Sequence, residues 1–458
     1  MKMGGSLSQY APDPAILALG QDFYDAVEPA DFPKTVLRYR NNKAAKSIGL
    51  SGLSDPDWIS HFGRFKALED NLPSPLALRY HGHQFQNYNP NIGDGRGFLF
   101  AQLRDKNNRL LDLGTKGSGQ TPYSRRGDGR LTLLGGIREV LATTYLESLG
   151  VPTSQSFSLI ETGEQLTRGD EPSPTRSAVL TRLSHSHIRF GTFQRLAYFE
   201  EKANMEKLVS YCQAHFYPEA ETAAALLEAC AIASAKTVAS WMAAGFVHGV
   251  MNTDNMNITG ESFDYGPYRF LPTLESSFTA AYFDHNRLYA FARQPEIMYW
   301  NLGQLAQSLS LIAKDDALIA ALDAFAPAYR DALWQTVFKR LGIQPTQIDV
   351  DIAFVMKTFE WLESAQVPWP QFWHDWSGGG AREGRAKTSP NAAFYTGDAF
   401  QNWLNSLARY TAVREGPIDL VAPSLLYDNI GALWTPIDKD DNWSAFHAKL
   451  ESFTPLEN

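Results

Sequence analysis

The chain has 458 residues, 44% apolar and 20% charged, with a net charge of −9 at neutral pH. That length allows a globular enzyme of two or three lobes with ample core, and the composition is ordinary for a soluble one. With no basic run of useful length, the charge excludes a protein that coats nucleic acid, so an anionic ligand has to be gripped by local Arg and Lys clusters in a cleft.

Two cysteines, Cys212 and Cys230, and no CxxC pair argue against a disulfide framework or a thiolate zinc site and fit a reducing compartment. Met1 to Tyr10 lacks the basic and apolar regions of a secretory signal. The longest apolar stretch, Ala223 to Met251, is broken by Glu228 and Lys236 and reads as a buried helix, not a membrane span. The expectation is a cytoplasmic protein with neither membrane nor nucleic acid as partner.

Residues 1–75 are mixed and punctuated by Pro, with anchors at Phe32, Tyr39, Trp58 and Phe62; they read as a wrapping segment without chemistry of its own. Gly97–Leu103 and Leu110–Thr115 flank Asp105-Lys106-Asn107-Asn108, which predicts a hairpin. A helix is expected from Gly136 to about Leu149, with Ile137, Val140, Leu141 and Thr144 on one stripe, and strands at Phe157–Ile160 and Ala178–Leu183. After 191 the chain turns helical, and Glu221–Gly245 delivers it into a loop at His248. Ser377-Gly378-Gly379-Gly380 interrupts a Trp-rich region and reads as a mobile loop or a joint. The prediction is an α+β, bilobal, protein-kinase-like fold. Its parts are a wrapping segment (1–75), a strand-rich nucleotide-binding lobe (76–190), a helical lobe with catalytic and metal-binding loops (191–380) and a helical extension (381–458).

The loop carries the sharpest signal. A phosphotransferase catalytic loop reads His-x-Asp-x-x-x-x-Asn, in which the Asp takes the substrate proton and the Asn holds a metal, and a later Asp-Phe-Gly supplies a second metal ligand. Here His248 and Asn255 keep that offset and Asp264-Tyr265-Gly266 follows, but the position of the base is Val250, which cannot ionise. A carboxylate stands instead at Asp254, so the metal chemistry survives while the base has moved. Asn255 and Asp264 offer the oxygen ligands that Mg²⁺ prefers.

Other constellations are weaker when taken singly. Gly93-Asp94-Gly95-Arg96-Gly97 suits either a phosphate loop or a tight polar turn. Lys116, at the exit of a strand, pairs with Glu139 on the next helix if the two serve a phosphate; otherwise Glu139, opposite the apolar stripe, is a solvated carboxylate. Arg125-Arg126-Gly127-Asp128-Gly129-Arg130 lines a nucleotide pocket or is an exposed turn. Arg182 and Arg189 both reach a polyphosphate or are surface cations. The pairs His81/His83 and His185/His187 lack a completing carboxylate or Cys and read as hydrogen-bonding residues.

Longer strings resemble a known family. Tyr80-His81-Gly82-His83-Gln84-Phe85, Gly93–Gly97, Lys116–Arg125, Ser186–Gly191 and His248–Met256 are similar to the selenoprotein O family, also called YdiU, with the match running from about 75 to 310. The resemblance implies a kinase-like fold that binds ATP in a flipped orientation and transfers AMP, using Mg²⁺ or Mn²⁺, to Ser, Thr or Tyr hydroxyls of proteins. It places Gly93, Gly95, Arg96, Lys116, Asp128, Gly129, Arg182, Arg189 and Asp264 at nucleotide contacts, Asn255 and Asp264 at metal ligands, Glu139 as the partner of Lys116 and Asp254 as the proton acceptor. UMP transfer from UTP, ordinary phosphoryl transfer and a non-catalytic ATP-binding scaffold are the competing expectations. Many relatives carry a terminal Cys pair with a redox role; this sequence has no Cys after Cys230, so such control is not expected. The segment after about 380 matches only loosely.

Overall fold

A computed structural model describes residues 9–169 and 171–453. Residues 454–458, the sequence end on which the expectation about a terminal Cys pair bears, lie outside the described residues. The order begins β1 (Tyr24–Ala26), β2 (Val36–Arg40), α1 (Asn42–Ser47), α2 (Asp55–Phe62), β3 (Leu76–Leu78), β4 (Gly82–Gln84), β5 (Asn87–Asn89), β6 (Leu99–Arg104), β7 (Leu110–Lys116) and β8 (Leu131–Thr132). It continues with α3 (Leu133–Ser148), β9 (Gln155–Leu166), β10 (Thr175–Ser184), α4 (Phe190–Tyr198), α5 (Lys202–His215), α6 (Ala223–Ala244), β11 (Phe246–Val247) and β12 (Arg269–Phe270). The remaining helices are α7 (Gln294–Leu309), α8 (Asp315–Leu322), α9 (Phe325–Leu341), α10 (Ile348–Ala365), α11 (Trp369–Asp375), α12 (Glu383–Ala386), α13 (Gly397–Leu407), α14 (Tyr427–Asp440) and α15 (Ser444–Glu451).

Eight strands form one antiparallel sheet in the order β1-β3-β6-β7-β10-β9-β2, with β8 paired to β10. Successive side chains of a strand point to opposite faces, and both faces are buried here. Leu76, Leu78, Leu110 and Leu180 join α3 and the helices after it; Ala77, Leu111, Val179 and Leu183 meet Trp58, Phe62 and Phe65 of the N-terminal segment. The class is therefore mixed α+β. The N-terminal segment does more than wrap, because β1 and β2 are the two edge strands of the sheet.

The hairpin and the helix appear close to where the pattern put them. Thr132 caps α3 through its hydroxyl to the Gly135 N–H (3.0 Å), so the helix starts a turn earlier than expected. Thr222 caps α6 in the same way, and Gly245, at φ +68°, ends it in the left-handed conformation that glycine allows. Among the described helices α6 alone is long and apolar enough to cross a membrane, and most of it is buried inside the protein.

Two expectations about the C-terminal half need correction. A second core joins α9, α10, α11 and α13 around Trp361, Trp369, Trp373, Trp376 and Trp403, and it runs straight through residue 380. Ser377–Gly380 is a packed turn within it: Gly378 donates to the Leu341 carbonyl (2.8 Å), and its glycines supply φ values of +114° and +65°. Beyond α13 the chain returns to the first core, where Leu425, Ile430, Ile437, Phe446 and Phe453 are buried. Arg38 and Arg176 both hold Asp441, at 3.0 and 2.7 Å, against the outer strands.

Candidate functional site

A cavity of about 670 Å³ opens between the sheet and the loops that follow α6. Gly93, Gly95, Arg96, Lys116, Asp128, Gly129, Arg182, Arg189, Asp254 and Asp264 line it; Glu139 and Asn255 do not. Eight cations (Arg96, Lys116, Arg125, Arg126, Arg130, Arg168, Arg182, Arg189) face four carboxylates (Asp94, Asp128, Asp254, Asp264), so the walls favour a polyanion.

β7 ends on Lys116, whose ammonium pairs with Glu139 of α3 and reaches Asp264 Oδ1 at 3.0 Å. Glu139 is thus buried, not solvated, because α3 is covered nearly all round and the Lys turns the carboxylate inward. β10 carries Arg182, 3.3 Å from Asp264 Oδ1. Arg189 caps α4 and reaches three places: Asp264 Oδ2 (3.3 Å), Asp94 Oδ1 (3.4 Å) and the Asp254 carbonyl (2.7 Å). Its guanidinium lies 4.7 Å from both the Tyr80 and Phe263 rings. Burial works to raise the Asp264 carboxyl, but Lys116, Arg182, Arg189 and Arg96 overcome it and hold the group well below the usual carboxylate range.

Asp254 differs. Burial pushes its carboxyl up to about 6 against the pull of Arg189, and Oδ1 is enclosed with no hydrogen-bond partner among the described residues. Gly82 of β4 lies against it: a Cβ there would stand 2.9 Å from Oδ1. His248 is buried, with its N–H donated to Gln294 Oε1 (3.0 Å). Asn255 is half-buried and donates its amide N–H to the Val250 carbonyl (3.0 Å), so its oxygen is the end a cation would use. Among the described residues no three His, Cys, Asp or Glu side chains cluster as a metal site. One carboxylate and one amide oxygen nonetheless suit a hard divalent ion that takes its other ligands from phosphate and water.

On the opposite rim, Gly93 and Gly95 are small because Tyr123 and its carbonyl pack on them; a Cβ would come within 2.5 Å of the ring at Gly93 and 3.0 Å of the carbonyl at Gly95. Gly129, at φ +69°, abuts the Gly119 carbonyl. Asp128 is held in a fork by Arg168 (2.8 and 3.1 Å). Arg168, Gln84 and Tyr123 escaped the sequence reading. Only Gln84 and Tyr123 lay in strings that could have pointed to them; nothing adjacent to Arg168 marks it. The histidine pairs bind protein groups: His81 Nδ1 meets Tyr88 Oη (2.8 Å), His83 Nδ1 meets Gln194 Nε2 (2.7 Å) and the His187 N–H donates to Asp112 (2.8 Å).

Residues 7–454 match the family described as protein adenylyltransferase SelO. The chain belongs to the SelO family. SelO relatives named protein nucleotidyltransferase YdiU include one from Synechocystis sp., 42% identical over 96% of this chain and 98% of its own length. Another from Gloeobacter violaceus is 43% identical over 96% and 94%, and one from Trichormus variabilis is 41% identical over 96% and 95%. As a member of the SelO family the chain is a nucleotidyltransferase, with a nucleotide as one substrate and protein as the other in general terms.

Proposed function

We propose that the protein transfers AMP from ATP to Ser, Thr or Tyr hydroxyls of other proteins, in a kinase-like cleft that holds ATP flipped, in a cytosolic setting. The observation that carries this reading is the pairing of a cation-lined cavity with a single enclosed, cation-poor carboxyl, Asp254, at one wall. Lys116, Arg182, Arg189 and Arg96 would grip the triphosphate, and the glycines at 93, 95 and 129 let backbone approach it. The acceptor oxygen forms a bond to the α-phosphorus as the α–β bridging bond breaks. The electron pair leaves with pyrophosphate, and the hydroxyl proton passes to Asp254. A carboxyl near 6 is mostly ionised at neutral pH yet more basic than an ordinary carboxylate, which suits a general base. Mg²⁺ or Mn²⁺, held by Asp264 and Asn255, would neutralise charge on the triphosphate.

The name of the curated relatives leaves the base open, so UTP belongs in the test. Purified protein is incubated with Mg²⁺ or Mn²⁺ and ATP labelled at the α- or the γ-phosphate, and in parallel with α-labelled UTP. Label retained from α-ATP alone is the expected outcome. Retention from α-UTP redirects the reading to UMP transfer, retention from γ-ATP makes the protein a kinase, and binding without label makes it a scaffold.

A further inference from the structure

Two backbone N–H groups tie the β4–β5 hairpin to the loop that carries Asp254. The His83 N–H donates to Thr253 Oγ1 (2.7 Å), and the Phe85 N–H donates to Asn252 Oδ1 (3.0 Å). The Asn252 oxygen also accepts from the Tyr289 hydroxyl (2.7 Å). One side chain closes this arrangement. Gln194 of α4 accepts from the Thr253 hydroxyl at Oε1 (2.6 Å) and donates from Nε2 to His83 Nδ1 (2.7 Å), so a single amide grips hairpin and loop together. Gln194 is buried, and burial also favours the uncharged His83 ring that can accept there.

We propose that Gln194 is a positioning residue for nucleotidyl transfer: its amide, bridging His83 and Thr253, holds the Asp254 loop in register with the β4–β5 hairpin. The inference rests on the reading of Asp254 as proton acceptor. Its physical basis is the difference in how the loop is held on its two sides. Arg189, which grips the Asp254 carbonyl, also pairs with Asp264 and Asp94, and an incoming polyphosphate competes for that guanidinium. Gln194 sits one and a half turns along the same helix and touches no group that a phosphate would claim. It therefore keeps the base placed while Arg189 changes partners. The Gly82 contact fits the same design, since the hairpin can lie this close to Asp254 only because Gly82 has no side chain.

The test uses full-length protein with two replacements. Gln194→Met keeps the shape and removes both hydrogen bonds. Gln194→Glu restores two acceptors, which the Thr253 hydroxyl and the other His83 tautomer can satisfy. Two measurements are made: single-turnover self-labelling from α-labelled ATP across ATP concentrations, and amide hydrogen exchange over residues 250–256. The expected result for Gln194→Met is a maximal rate at least ~10-fold lower, with half-saturating ATP within about twofold of wild type, and faster exchange in the loop. Gln194→Glu should recover both. A Gln194→Met protein with wild-type rate and exchange overturns the proposal. So does one in which half-saturation and thermal stability fail together with the rate, since that is a structural defect. If wild-type protein takes no label, the transfer reading falls on its own. Exchange then decides the bridge without turnover: an unchanged loop in Gln194→Met overturns it, and a loosened loop that Gln194→Glu restores sustains it.

Discussion

Asp264, half-buried, and Asp254, buried, stand on the same stretch of chain, yet they have opposite surroundings. Asp264 has three cations within 3.3 Å, and its charge is held firmly. Asp254 faces Gly82, has one enclosed oxygen without a hydrogen-bond partner among the described residues, and is steadied mainly by the more distant field of Arg189, with hydrogen bonds from its own backbone and the Gln84 side chain adding less. A carboxylate ringed by cations is a poor proton acceptor and a good anchor; one that is desolvated and nearly alone is the reverse. Under the proposed function, that difference would separate binding from proton transfer within a single cavity wall.

The contrast can be broken at several points. Asp254→Asn should lower AMP transfer ~10²–10⁴-fold, the usual contribution of a general base, with ATP affinity retained in a direct binding titration. Lys116→Met should remove ATP binding and also destabilise the fold by ~3–5 kcal/mol, because Glu139 is left buried without a cation; denaturant melts of the ligand-free protein report the second effect. A third carboxyl sharpens the comparison. Among the described residues no cation contacts Glu261; burial pushes it up to about 7 although the His185 N–H donates to it at 2.9 Å. Its folded value lies above the ordinary glutamate value of 4.5, so the penalty for ionising it is absent below about 4.5 and complete above about 7. Glu261→Gln keeps an acceptor for that N–H and should match wild type in stability at the acid end. Above neutrality it should gain up to ~3 kcal/mol, read from melts across pH. Smallest is Arg126→Ala on the exposed rim, where no described acid pairs with the guanidinium. ATP affinity should fall about two- to fivefold, less at high salt, with the maximal rate unchanged.

Much of this site was legible because its parts are local strings. The β6–β7 hairpin, the α6 delivery helix and the carboxylate at Asp254 beside a non-ionisable Val250 are all visible within short windows. What the windows hid depends on distant partners. Glu139 lies off the apolar stripe of α3, and only the sheet on one side and Lys116 beneath it explain why it is buried. The glycines at 93 and 95 read as room for phosphate, whereas in the fold they also seat Tyr123, thirty and twenty-eight residues on. Arg168 meets Asp128 across forty residues with no pattern to announce it. The chain after 191 read as helical and Trp-rich, but nothing local said that the Trp-rich core would run through the glycine turn at 377–380.

The return of α14 and α15 to the first core has a consequence for how the chain is made. Ile437 and Phe446 are fully buried against elements from the first half, Tyr145 packs on Phe453 at 4.7 Å, and Asp441 bridges Arg38 and Arg176. During synthesis the sheet that lines the cavity leaves the ribosome hundreds of residues before the helices that cover its neighbour α3. The nascent chain therefore carries an uncovered apolar flank until nearly all of it has emerged, and chaperone contact with that flank should persist late into translation.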